Sequence, residues 1–141
     1  MTIPSEYQRA SVEFERFIVD ARDIAGLNTT NMAWSMVVGV LFTFRRRITV
    51  VEVLRFAAVL PPILRAIFVS KWDPEEPPCS FGTREAMTRE VQSLRSEHNF
   101  APNSAIHSVA LALRRHVDVE EFESVVGTMP VGAADYWKAL R

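Results

Sequence analysis

The chain is poor in most of what marks a dedicated chemical site. It has one cysteine, Cys79, which excludes an intrachain disulfide and any multi-cysteine metal site and suits a reducing compartment. Its five glycines are scattered, and neither G-x-G-x-x-G nor a G-K-[ST] ending occurs, so no phosphate-cradling loop is written. The histidines His98, His107 and His116 stand nine apart, half a revolution on a continuous helix, and no His-Glu-x-x-His or cysteine pair accompanies them. They read as surface or helix-end residues, and no metal or other cofactor is expected. Neither sign of charge dominates: 16 Lys and Arg against 17 Asp and Glu leave −1, so no global field favours nucleic acid or an anionic membrane. The longest apolar-looking run, Met32 to Phe44, is well short of the ~20 residues a bilayer-spanning helix needs. The opening "MTIPSEYQRA" lacks a charged-then-apolar signal pattern, and the expected location is cytoplasmic.

What is present is a core. Hydrophobic residues make up 48% of a chain of 141 residues, enough for one packed domain. Almost every segment repeats its apolar residues every three to four positions, and none alternates as a half-buried strand must, so the fold class is all-α. A first helix is expected from about Ser5, with Gln8 placed for a capping box, to a stop at Gly26. A second runs from residues 28–31 to near Arg47, with Val37, Val40, Leu41 and Phe44 facing inward. Thr49 and Glu52 form a capping box for a third, whose stripe is Val53, Phe56, Ala57 and Leu60. Pro61 and Pro62 break it and open a short helix carrying Ile63, Leu64, Ile67 and Phe68. "WDPEEPPCSFG" then reads as a linker.

Beyond the linker the pattern returns. Thr83 opens a helix with Met87, Val91 and Leu94, another runs from about Asn103 to His116, and Asp118 with Glu121 repeats the capping box. At an offset of 69, residues 35–68 align without a gap on residues 104–137, with seven identities: Ser35/Ser104, Val40/Val109, Arg45/Arg114, Arg46/Arg115, Val50/Val119, Glu52/Glu121 and Pro61/Pro130. Chance at average composition gives about two. Caps fall on caps and breaking prolines coincide. The expected architecture is a helical bundle of two tandem repeats related by an approximate two-fold, each half too small to bury its own face. Residues 1–141 form one domain, with repeat one at about 5–72, a linker at 73–82 and repeat two at about 83–141. Ser35, Gly39 and Thr43, matched by Ser104, Ser108 and Ala112, would allow close backbone approach where the halves meet. Trp34, Val38 and Phe42 make a second apolar edge on the same helix, read with the other aromatics as core packing.

These features resemble a known family. "RRRITVVEVLRFAAVLPPILRAIFVSKWDP", then "TREAMTREV" and the second "LRRHVDVEEFESVVGTMP", look like the bacterial domain of unknown function 2267, most specifically in Leu60-Pro61, Trp72-Asp73-Pro74 and Thr83-Arg84-Glu85. The resemblance implies a small, soluble, all-helical bacterial protein, and it carries over no catalytic residue.

One constellation invites a functional reading. Arg45, Arg46 and Arg47 end one helix, and Arg114, Arg115 and His116 end its counterpart. Cations there oppose the negative dipole end, worth roughly 0.3–1 kcal/mol each when exposed. Brought together, Arg45, Arg46, Arg114 and Arg115 could also clamp a phosphate or an acidic partner. Cys79, beside Glu75 and Glu76, lacks the electropositive setting of a nucleophilic thiol. The function expected is a non-catalytic helical interaction or regulatory module with a protein partner, a second copy of itself among the candidates, and no nucleic acid or membrane. The alternative is an anion or small-ligand binder using the four arginines.

Overall fold

The computed structural model describes residues 2–94 and 100–139. Among the described residues there are nine helices and no strand: α1 Ser5–Gln8, α2 Ala10–Ala25, α3 Thr30–Arg45, α4 Val50–Ala58, α5 Pro62–Phe68, α6 Arg84–Ser93, α7 Ala105–Arg114, α8 Val119–Gly127 and α9 Val131–Trp137. The chain is all-α.

Most helix ends follow from local chemistry. Thr29, Thr49, Thr83 and Asp118 each accept from the amide three residues on, satisfying a donor that the first turn leaves orphaned. Gly26 takes a left-handed φ of 71°. Its N–H bonds the Asp23 carbonyl and that of Leu27 bonds Arg22, the paired closure that stops α2. Pro62 opens α5 and Pro130 precedes α9, as a residue without an N–H can at a helix start.

Three expectations fail locally. The first helix is broken: Arg9, at φ −103° and ψ 10°, leaves the helical region between α1 and α2. The Ser5/Gln8 capping box does not form, because Pro4 is the cap and its carbonyl already receives the amides of Tyr7 and Gln8. Thr49 and Glu52 complete both bonds of their box, at 3.3 and 2.8 Å, whereas Asp118 accepts from Glu121 at 3.1 Å and gets no bond in return. Asp118 has ψ 109° where Thr49 has 166°, which turns its amide away from the Glu121 carboxylate.

The helices assemble crosswise. α2 lies against both α3 and α7, and α6 lies against α3. α4 packs on α8, and α9 on α7 and α8. At the centre is an aromatic cluster drawn from well-separated parts of the chain: Phe44 meets Phe56, Tyr136 and Trp137 at ring separations of 4.9, 5.2 and 5.2 Å, and Phe56 stacks on Trp137 at 5.4 Å. The Tyr136 hydroxyl donates to the Val40 carbonyl at 2.6 Å, tying α9 to the middle of α3. Burial pushes its phenol well above the ordinary range.

Ser35, Gly39 and Thr43 are buried, and on α7 Ser108 and Ala112 are buried while Ser104 is exposed. Gly39 shows why the α3 stripe is small: a Cβ there would lie 2.8 Å from the Val91 carbonyl oxygen of α6. The stretch after α5 is non-helical, as expected of a linker, yet it is laid on the core. Cys79 donates its N–H to the Arg46 carbonyl at 2.9 Å, and Phe81 packs against Phe44, Tyr136 and Gly132.

Candidate functional site

The arginines at the ends of α3 and α7 are mostly engaged. Arg45 is buried and reaches past its own helix to the end of α5, where its Nη1 donates to the carbonyls of Phe68 and Ser70 at 2.8 Å each and its Nη2 to Lys71 at 3.4 Å. Its guanidinium also stacks 4.1 Å from the Phe42 ring centre. Burial pulls its pKa down, against the raising effect of Glu76. Arg114 does the matching thing at the end of α9, donating from Nε and Nη2 to the Trp137 carbonyl and pairing through Nη1 with Glu123. Each guanidinium therefore completes the carbonyls of a later helix, where the macrodipole is negative.

Arg46 and Arg47 share one carboxylate. Arg47 holds Glu90 in a two-pronged pair at 2.9 and 3.1 Å and also donates to the Thr43 carbonyl, while Arg46 bonds Glu90 at 2.9 Å and lies 3.7 Å from Glu76. Burial alone would raise the Glu90 pKa, but the hydrogen bonds and charges of Arg47 and Arg46 outweigh it and hold the carboxyl below its usual range. Arg115 is exposed and makes no ion pair among the described residues. The four candidate anion ligands do not line one cavity. Arg45 and Arg46 border a cleft of about 340 Å³ with Asp73, Glu75 and Glu76, whereas Arg115 borders another of about 460 Å³ with Glu13, His116, Asp118 and Glu121.

His116 is a helix-end residue whose Nε2 meets the Asp20 carboxylate at 2.6 Å, with its ring edge-on to Phe17. It thereby fastens the α7–α8 corner to α2. His107 is half-buried, and His98 lies outside the described residues. Among the described residues no three His, Cys, Asp or Glu side chains gather as metal ligands would, and no helix is long and apolar enough to cross a membrane.

The largest departure from expectation lies on α3. Trp34, Val38 and Phe42, one helical turn apart, form the floor of a groove of about 430 Å³. Ile63, Ala66 and Ile67 of α5 line it too, as do Leu94, just past α6, and the polar Ser35, Ser70 and Lys71. Trp34 keeps 38% of its surface exposed, touching Phe14 edge-on, and Val38 and Phe42 are only half-buried. Core packing thus accounts for Phe44, Phe56, Phe68 and Trp137 in full, for Val38 and Phe42 in part, and not for Trp34. The signal was present: α3 is apolar on more faces than one neighbour can cover, which is how a helix with a buried face and a working face looks. Lys71 was not legible. It has φ 51°, a left-handed conformation unfavourable for a side-chain-bearing residue, with its carbonyl held by Arg45.

Residues 14–136 match the family described as "Uncharacterized conserved protein (DUF2267)", and the chain belongs to that family. No curated protein matches it.

Proposed function

We propose that this DUF2267 member is a non-catalytic helical interaction module, built from two tandem copies of one unit, that receives the apolar face of a partner protein's helix in the groove floored by Trp34, Val38 and Phe42. The observation that carries the reading is that face, which the described residues leave open as a groove. It is apolar, it follows one side of α3 for two turns, and α5 stands beside it, which is the shape that helix-in-groove recognition uses.

The duplication is supported by coincidences at the offset of 69. α4 and α8 begin and end 69 positions apart, α5 and α9 do the same, and α3 and α7 share the offset at their last residue. Arg45 bonds the Phe68 carbonyl as Arg114 bonds that of Trp137, again 69 apart at both ends. The packing is reciprocal as well: α2 of the first half lies on α7 of the second, and α6 of the second lies on α3 of the first. Reciprocity of that kind is what an approximate two-fold produces. We place the protein in the cytoplasm, where its lone Cys79 would stay reduced.

The test uses Val38→Glu, which sets a carboxylate on the groove floor at a half-buried position, together with a photocrosslinking residue at position 34. Wild type should retain from a cognate lysate a protein that the variant loses, and the crosslink should map to an apolar helical segment of it. Identical captures by the two proteins would overturn the reading. Anion binding through Arg45, Arg46, Arg114 and Arg115 is the second reading, favoured by the exposed guanidinium of Arg115, which has no ion-pair partner among the described residues.

A further inference from the structure

The two ends of the groove carry opposite charges. Glu15 sits beside Trp34, in the shallow cavity that continues past the indole with Val19 and Thr30. Lys71 sits at the other end, beside Ile67 and Phe42. Both side chains are exposed, and neither makes an ion pair among the described residues. The acids Asp73, Glu75 and Glu76 do not line the groove but the neighbouring cleft, which Lys71 borders as well, together with Arg45 and Arg46. The position of Lys71 is imposed: Arg45 grips the Phe68, Ser70 and Lys71 carbonyls and holds the backbone in its left-handed turn. α3 runs from Thr30 to Arg45, so the acid marks the end of the groove nearer the start of α3 and the base the end nearer its finish.

Given the groove reading above, on which this inference rests, we infer that the partner helix runs antiparallel to α3, with an acidic first turn at Lys71 and a basic last turn at Glu15. Helices are stabilised by acids in the first turn and bases in the last, so the same charges that steady the partner helix also match the groove in this direction alone. In the parallel direction acid would meet Glu15 and base would meet Lys71. The bare ends of a helix carry about half a charge each and favour the parallel setting, but the full side-chain charges outweigh them. From Trp34 to Phe42 the floor spans roughly 12 Å, so the partner contributes about two turns and an apolar residue every three or four positions.

The experiment uses a synthetic helical peptide of about 15 residues, long enough to hold some helix when free. It has leucines at helical spacing, glutamates in its first turn and lysines in its last. A nitroxide is attached at one terminus or the other, and the probes are the indole N–H signal of Trp34 and the backbone amide of Lys71 in the isotopically labelled wild-type protein. A C-terminal nitroxide should broaden Trp34, and an N-terminal one should broaden Lys71. Lys71→Glu should weaken the peptide about tenfold, as reversing an exposed pair does. The opposite broadening pattern, or equal broadening from both termini, overturns the antiparallel assignment while leaving the groove as a helix site. A peptide that binds wild type and Val38→Glu alike, or neither, overturns the groove with it.

Discussion

The Arg47–Glu90–Arg46 network bolts the end of α3 to α6, and Glu90→Gln tests whether that bolt carries stability. Three contacts of 2.9, 2.9 and 3.1 Å converge on a carboxylate that is 26% exposed, and the Arg47 side chain that donates two of them is only 8% exposed. The amide would keep the shape and remove the charge. Arg47 would then be left with the Thr43 carbonyl as its main partner, and its buried Nε already has none. Stranding a buried cation costs about 3–5 kcal/mol, and the partial exposure of Glu90 brings the expectation to about 2–4 kcal/mol. For a chain of this length each kcal/mol lowers the melting temperature by about 3 °C, so a fall of about 6–12 °C is expected at pH 7. Because the folded carboxyl titrates below its unfolded value of about 4.3, its contribution is complete above that pH and disappears as the pH falls through the folded value. Urea unfolding of wild type and Glu90→Gln at pH 7 and at successively lower pH below about 4 should show a large gap that narrows with acid. Replacing the pair together, Arg47→Met with Glu90→Leu, should recover most of the loss, since it also removes the orphaned Nε. A gap smaller than about 1 kcal/mol at neutral pH, or one that persists unchanged in acid, would refute the assignment.

Two further outcomes follow from the packing of α3 and from its arginines. Gly39→Ala should destabilise by about 1–2 kcal/mol in chemical denaturation, because the strain of a methyl placed 2.8 Å from the Val91 carbonyl exceeds the ~1 kcal/mol that alanine normally adds to a helix; a stabilised variant would mean that α3 and α6 can separate at little cost. Arg46→Gln with Arg115→Gln should abolish any stabilisation of wild type by phosphate at matched ionic strength if the arginines bind anions, and a wild type that phosphate does not stabilise removes the second functional reading.

How far the sequence could be read depended on the distance over which each feature is decided. The caps at Thr29, Thr49, Thr83 and Asp118 and the stop at Gly26 depend on atoms within about four residues, and the sequence pattern placed those ends to within a residue or two. The break at Arg9 and the missing return bond of Glu121 are also local, but they turn on backbone angles that residue type does not specify. The arginines were legible as helix-end cations and illegible in their partners, because Arg45 finds its carbonyls 23 positions away and Arg47 its carboxylate 43 positions away. The groove is the extreme case. α3 offers Val37, Val40 and Phe44 on one face, Ser35, Gly39 and Thr43 on another and Trp34, Val38 and Phe42 on a third, and nothing in the spacing ranks them. Tyr136 and the aromatic cluster cover the first, and Val91 covers the second so closely that only glycine fits. Leu94, just past the end of α6, lines the third face together with α5, and among the described residues no helix closes over it, so the large side chains written there are a candidate for recognition.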